Sequence, residues 1–263
     1  MGSASRAALE AAKSALASAK GVTRGTGEQL LSAGRDIAGS SQLRALLADP
    51  SMPVAEKTGL IGSIFSSLDP AAASLLGELV GSRWSNSDQL IDGIEQVGIR
   101  AIATSAPDDA DIEGELFMFA RAVSSDPELE LAVGSKLGDP TGKASLVDSL
   151  LAAKVDAGTL AIVRHLVQTP RGRRIGQLLT LAAETVADAS GGIVANVTAA
   201  APLTDAQLET LGATLKTQYG REPRIAVKID PSVLGGLRVQ VGDDVIDGTI
   251  ASRLSELRLQ LAG

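Results

Sequence analysis

The chain has 263 residues, a formal net charge of -7 and no cysteine. Its length is roughly two domains' worth, and the absence of thiols excludes a disulfide framework, a cysteine nucleophile and any cysteine-ligated metal centre. Only 2% of the residues are aromatic, too few for a single-strand stacking platform, and the acidic balance opposes the counterion release that drives phosphate-backbone binding.

The first twenty residues are rich in Ala, Ser and Lys, as a transit peptide is, but they include Glu10 and lack a continuous apolar core. They read as a retained amphipathic helix from about Ser5 to Lys20. From there to about Asp188 the apolar residues keep helical spacing, as in Leu43, Leu46 and Leu47, then Leu60, Ile61, Ile64, Phe65 and Leu68, then Leu146, Val147, Leu150 and Leu151. Pro53 reads as lying just inside a helix start, and Asp69-Pro70 and Asp139-Pro140 each offer an N-cap carboxylate followed by proline. The pattern predicts about ten or eleven short helices. No stretch reaches the roughly 18 apolar residues that a membrane span requires.

An offset of 86 residues, the separation of Lys57 from Lys143, aligns Leu30 with Leu116, Arg35 with Arg121, Leu60 with Leu146 and Ala71 with Ala157. The register runs without a gap across several helix boundaries, which points to a duplicated helical segment. The first copy has a helix ahead of it that the second lacks in this reading.

At Gly191 the period changes. Ile193, Ala195, Val197 and Ala199 alternate as a strand does, Thr204 to Gln207 forms a capping box, and Gly220 stops the helix that follows. Ile225 to Ile229, Leu237 to Val241 and Val245-Ile246 read as further strands, and Ile250, Leu254, Leu257 and Leu261 as a closing helix. The expected fold is mainly α: tandem helical bundles at 1–106 and 107–190, then a small α/β domain of strand-helix-strand-strand-helix order at 191–263.

Chemistry-bearing candidates are sparse. Gly138 to Ala144 resembles a phosphate loop, but three residues rather than four separate its glycines, and Ala144 stands where a hydroxyl would bind magnesium. It reads as a helix-helix turn. His165, the single histidine, sits among Ile162, Val163, Leu166 and Val167 and reads as a packed side chain, since no nucleophile elbow accompanies it. Arg171, Arg173 and Arg174 form the sharpest basic cluster, either a solvated turn or a docking contact for an acidic partner. The run Asp108, Asp109, Asp111 and Glu113 suits a solvated first turn. No residues are assigned to catalysis, a cofactor or a metal.

The stretch from Val227 to Thr249 contains an Asp230-Pro231 turn, the Gly235-Gly236 pair, a Gly242-Asp243 turn and Asp247-Gly248-Thr249 ahead of Leu254 and Leu257. It resembles the signature of the delta subunit family of bacterial F-type ATP synthase, whose mitochondrial counterpart is the oligomycin-sensitivity-conferring protein. Thr249 stands where Ser is commoner and keeps the hydroxyl. The resemblance spans about Glu115 to Gly263, leaving the first hundred residues as an additional copy.

It implies a non-catalytic stator subunit of the peripheral stalk, on the cytoplasmic face of the bacterial plasma membrane. Its helical part would bind N-terminal segments of the alpha subunits and its C-terminal domain the membrane-anchored b subunit, with no nucleic acid, no small-molecule substrate and no membrane span of its own. Gly235 and Gly236 are expected to take positive φ or to allow close backbone approach, and Asp247 to cap the last helix. In that family the alpha-subunit segment lies in a groove of the first and fifth helices. Ala8, Leu9, Ala12 and Leu16 of the first copy are therefore expected to dock the head, with the second copy as a spacer. The rival reading is a generic helical adaptor unrelated to ATP synthase, which shares every feature except the C-terminal signature.

Overall fold

The computed structural model describes residues 2–107, 109–135, 138–152, 154–191, 193–220, 223–230, 233, 235–241 and 244–248. The chain divides into two compact units, Met1–Val186 and Ala187–Gly263. Described residues of the first are helical: α1 (Ser3–Ser18), α2 (Arg24–Gly39), α3 (Ser41–Ala48), α4 (Val54–Ile64), α5 (Pro70–Gly81), α6 (Ser87–Thr104), α7 (Ile112–Ser125), α8 (Pro127–Gly134), α9 (Pro140–Leu151), α10 (Ala157–Gln168) and α11 (Ile175–Ala189), which runs on to the second unit.

Side-chain caps set most of these starts by accepting from otherwise orphaned amides. Thr23 and Thr26 cap each other at α2, Asp69 accepts from Ala72 N ahead of Pro70, and Asp139 accepts from Thr141 N and Gly142 N ahead of Pro140. Pro53 lies one position earlier than expected, as the N-cap of α4 with no side-chain bond.

The helices of the first unit recur at a near-constant offset, the arrangement a duplication would give, with two departures from the expected register. Helices α3 and α8 begin 86 residues apart, as do α4 and α9, but α5 and α10 begin 87 apart and α6 and α11 88 apart. The ungapped register therefore ends after α9. Ala71 does not pair with Ala157, because α5 opens at Pro70 behind the Asp69 cap and α10 at Ala157 behind the Asp156 cap. Helix α6 lies ahead of α7 much as α1 lies ahead of α2, ending 86 and starting 84 residues after α1.

Helix α6 serves both copies. Leu90, Ile91, Ile94, Val97 and Ala101 join the apolar cluster built from α1 to α5, while Ile99 and Ile102 join the cluster built from α7 to α11. One pattern of closure recurs in each copy. The Gln29 side chain of α2 accepts from Asp69 N at the start of α5 (2.7 Å), and the Glu115 carboxylate of α7 accepts from Asp156 N at the start of α10 (2.9 Å).

In the second unit, β1 (Ile193–Ala199), α12 (Asp205–Tyr219), β2 (Pro223–Ile229), β3 (Leu237–Val241) and β4 (Asp244–Asp247) form a four-stranded sheet of order β2-β1-β3-β4. β1 and β2 are parallel, which requires a crossover, and α12 provides it. β3 pairs antiparallel with both β1 and β4. Ala195, Val197, Leu215 and Val239 form the core of this sheet and helix. The expected closing helix lies outside the described residues.

Two glycines set how closely the first copy packs. A Cβ at Gly27 on α2 would lie 2.6 Å from the Gly98 carbonyl oxygen on α6, and one at Gly98 would lie 2.8 Å from Leu31 Cδ2. The helices thus cross backbone to backbone, and a main-chain oxygen cannot swing aside. Gly27→Ala is expected to destabilise by roughly 1–3 kcal/mol despite the better helix former. Gly59→Ala, at a position on α4 with nothing within 4 Å, is expected to stabilise by up to about 1 kcal/mol. Urea unfolding of both variants checks the contrast.

Candidate functional site

A carboxylate on an apolar helix stripe needs a reason to be there. Glu95 lies on α6 between Ile91 and Ile99, is 6% exposed, and gathers the charged groups of the second copy around it. Arg173 donates to it through both terminal nitrogens, Nη1 to Oε1 and Nη2 to Oε2, each at 2.9 Å. This is the two-pronged fork that guanidinium and carboxylate geometry favours. Arg171 Nη2 donates to Asp92 Oδ1 at 2.6 Å and lies 3.5 Å from Glu95 Oε2. To reach this position Arg171 takes φ 47, the one positive φ among the described non-glycine residues, a conformation costing on the order of 1–3 kcal/mol that persists only where its surroundings impose it.

His165 of α10 completes the cluster. Its Nδ1 lies 3.0 Å from Arg35 Nη1 of α2 and its Nε2 lies 3.2 Å from Glu95 Oε2. A guanidinium has no acceptor, so Nδ1 accepts from Arg35 and Nε2 carries the proton donated to Glu95. Adding a second proton would set an N–H against the Arg35 donors. Burial lowers the His165 pKa and the Glu95 bond opposes that shift, while the Arg35 and Arg171 charges reinforce it. For Glu95 burial pushes the carboxyl up, but bonds from His165 and Arg173 and their charges outweigh it and leave the group at about 2.

The basic cluster seen in the sequence therefore finds its acidic partner within the same chain, and His165 is a buried hydrogen-bonding residue. Arg174 remains exposed. Ala8, Leu9, Ala12 and Leu16 are at most 7% exposed and pack into the first copy's own cluster, where they hold α1 in place instead of presenting a surface. Glu113, expected in a solvated turn, is 5% exposed, while Asp111 caps α7 through Gly114 N.

Lys143 of the loop resembling a phosphate cradle is 6% exposed and donates to the Ser135 carbonyl at the end of α8. Its counterpart Lys57 is 4% exposed; burial lowers its pKa and the Asp49 charge at the end of α3 opposes the shift. Both lysines are engaged at helix ends within their bundles. Among the described residues no group of three His, Asp or Glu is placed to hold a metal ion, and no helix is long and apolar enough to cross a membrane.

Of the C-terminal signature, Gly235 and Gly236 take φ 67 and 82 on the way into β3, the left-handed region that glycine alone enters freely. Asp230 N donates to the Ala199 carbonyl, and Gly248 N to the Leu237 carbonyl. Asp247 pairs with Arg238 across β3 and β4. Pro231, Gly242 and Thr249 lie outside the described residues, as does the helix that Asp247 was expected to cap.

Sequence reasoning missed Asp92 and Glu95. The available signal was a carboxylate at position 95, four residues from both Ile91 and Ile99 on the buried stripe of α6.

Acid should loosen this cluster through both groups. Glu95, with a folded pKa below the ordinary carboxylate value of 4.5, contributes stability that is full above that value and is lost as pH falls toward 2. His165, held below 6.5, contributes stability that is lost as pH falls beneath its ordinary value. The thermal midpoint is expected to drop between about pH 7 and pH 5 as His165 is called on to take up a proton. His165→Gln, which still donates to Glu95 and accepts from Arg35, should flatten that drop. Glu95→Gln should cost roughly 1–3 kcal/mol at neutral pH, because it leaves the half-buried Arg171 and Arg173 guanidinium groups without their anion. Thermal and urea unfolding across pH measure both effects.

Residues 99–261 match the family model described as ATP synthase delta (OSCP) subunit. That span begins inside α6, the helix that opens the second copy. The chain is 50% identical over 264 residues to ATP synthase subunit delta of Leifsonia xyli subsp. xyli, covering 100% of both chains. It is 40% identical over 266 residues to the subunit of the same name in Kineococcus radiotolerans, covering 98% of this chain and 96% of that one. The Streptomyces avermitilis subunit delta is 42% identical over 224 residues, 84% of this chain and 82% of its own. Matches along the full length of these relatives include the first hundred residues, which precede the family-model match. The chain belongs to the ATP synthase delta (OSCP) subunit family.

Proposed function

We propose that this chain is the non-catalytic stator link of an F-type ATP synthase. Its helical unit meets N-terminal segments of the alpha subunits, and its C-terminal unit meets the membrane-anchored b subunit at the cytoplasmic face of the membrane. The observation that carries this reading, beyond family membership, is α6. One continuous helix belongs to two bundles, so the helical unit has no flexible tether between its halves. A stator must resist torque while the rotor turns, and a shared buried helix with an ionic clamp is suited to that task.

The same helix decides how the reading is tested. A truncation that removes residues through Ala103 would take α6 from the second copy as well, so loss of binding would not identify the first copy. The test is made with the full chain. Stripping it from membranes that carry the enzyme is expected to leave ATP hydrolysis by the head intact and to abolish ATP-driven proton pumping in inverted vesicles. Adding the chain back should restore pumping. Pumping that persists in its absence would overturn the proposal.

A further inference from the structure

His165, the single histidine of the chain, sits where three helices meet. Its ring on α10 is 4% exposed and lies between a donor on α2 and an acceptor on α6. The two ring nitrogens therefore hold α10 to two different helices, Nδ1 to Arg35 of α2 and Nε2 to Glu95 of α6. Only the neutral ring makes both bonds, because Nδ1 must keep its lone pair to accept from a guanidinium.

A second proton treats the two bonds unequally. The bond to Glu95 becomes a charge-assisted one between imidazolium and carboxylate, and Glu95, at about 2, stays ionised where a histidine titrates. The bond to Arg35 is lost, since two donors and two positive charges then face each other at 3.0 Å. The cavity beside the ring, lined by Leu31, Gly34 and Thr169, is about 10 Å³, on the order of one water molecule. A displaced guanidinium has no place inside the joint. Arg35 is only half-buried and its neighbour Asp36 is exposed, so its way out is toward solvent.

The other charges around α10 leave this asymmetry in place. In the turn after α10, Arg171 is held by Asp92 of α6 and Arg173 by Glu95, and the Arg171 charge opposes a second proton on the ring. Asp148 of α9 pairs with Arg164 on the exposed side of α10. Glu115 of α7 holds the start of α10 through Asp156 N and Thr159. Glu28 of α2 attracts Arg164 from a distance, but it is exposed and paired with Arg24. Among the described residues, the buried side chain that α2 contributes to the second copy's cluster is Leu31. Without Arg35, that apolar contact is the buried tie left between α2 and the second copy.

We propose that His165 is a proton-operated catch: one proton frees α2 from α10 while tightening α10 on α6, so the two bundles stay folded and joined through α6 but gain freedom to turn against each other. Burial together with the Arg35 and Arg171 charges keeps the ring neutral near pH 7, so the catch is closed there and opens beneath the ordinary histidine value. The rigidity of the helical unit then depends on pH, whatever the chain assembles with.

The full chain has no cysteine, so Ser63→Cys on α4 and Ser149→Cys on α9, both exposed, place one spin label on each bundle. Pulsed electron resonance gives the distance distribution between them from about pH 8 to about pH 4.5, alongside the nitrogen resonances of the single histidine. The distribution is expected to be narrow at the upper end and at least about twofold broader at the lower, with a midpoint that coincides with protonation of the ring. Helical circular dichroism and the fluorescence of buried Trp84 should stay constant. His165→Gln, which keeps both bonds and takes up no proton, should remain narrow throughout. Arg35→Met should be broad already at the upper end and should raise the midpoint of the ring, because a repelling charge is gone. A ring that stays neutral over the whole range, or one that protonates without broadening, overturns the proposal. So does broadening that persists in His165→Gln or that accompanies loss of helix.

Discussion

Helix α6 has almost no free face, and the helical unit is built around that constraint. Of its 18 residues only Asp88 and Thr104 are exposed. A helix buried all round is ordinarily apolar all round, yet Glu95 and Arg100 are buried here at 6% and 7% exposure. A lone buried carboxylate would cost more than its neighbouring apolar contacts could offset. Glu95 is held because Arg173 and His165 bond to it, with Arg171 close by. The same helix approaches α2 closely enough that Gly98 and Gly27 leave no room for a methyl group. Packing on one side and charge on the other fix α6 in rotation and in depth, and each bundle takes its geometry from it.

What the copies keep and what they change then separate by role. Both keep a buried lysine at the end of the preceding short helix, Lys57 and Lys143, and both keep a polar side chain holding the start of the fifth helix, Gln29 to Asp69 and Glu115 to Asp156. These close a bundle on itself. Changes at the outer faces include Gly62 and Gly77 against Asp148 and Arg164, whereas exposed Glu78 stands against His165, which is buried against the other bundle. Copies that fold by the same interior contacts can diverge at their surfaces without loss of the fold, because surface changes away from caps and cores cost little.

Much of this was legible in the residues, and the gaps have physical causes. Helical spacing, the Asp-Pro caps, the Thr204 capping box and the left-handed Gly220 are local signals, and each is found where the sequence puts it. The offset of 86 held as far as α9 and then slipped at two turns, since an inserted loop residue leaves helix periodicity untouched. Periodicity also records that a face is buried without recording against what. The docking role expected of Ala8, Leu9, Ala12 and Leu16 came from the resemblance, whereas periodicity recorded only a buried face, which packs into the first bundle's own cluster. Arg171 and Arg173 showed the same limit from the other side. Their need for acidic partners was readable, but the partners lie about 80 residues away on α6.

The joint between the bundles combines two kinds of interaction that do different work. Apolar contact between Leu31 of α2 and the second copy's cluster contributes adhesion but little direction. A buried ion pair is weak evidence for stability when set against an apolar replacement, so the charged cluster is best understood by its geometry. Arg173 meets Glu95 through a planar fork, and His165 fits between a donor on α2 and an acceptor on α6 in one tautomer alone. A rotation of one bundle against the other would break several of these bonds at once and leave buried Glu95 and His165 unpaired. The apolar clusters set how strongly the halves adhere, and the ionic cluster sets the one angle at which they do so, which is the property a part under torque must have.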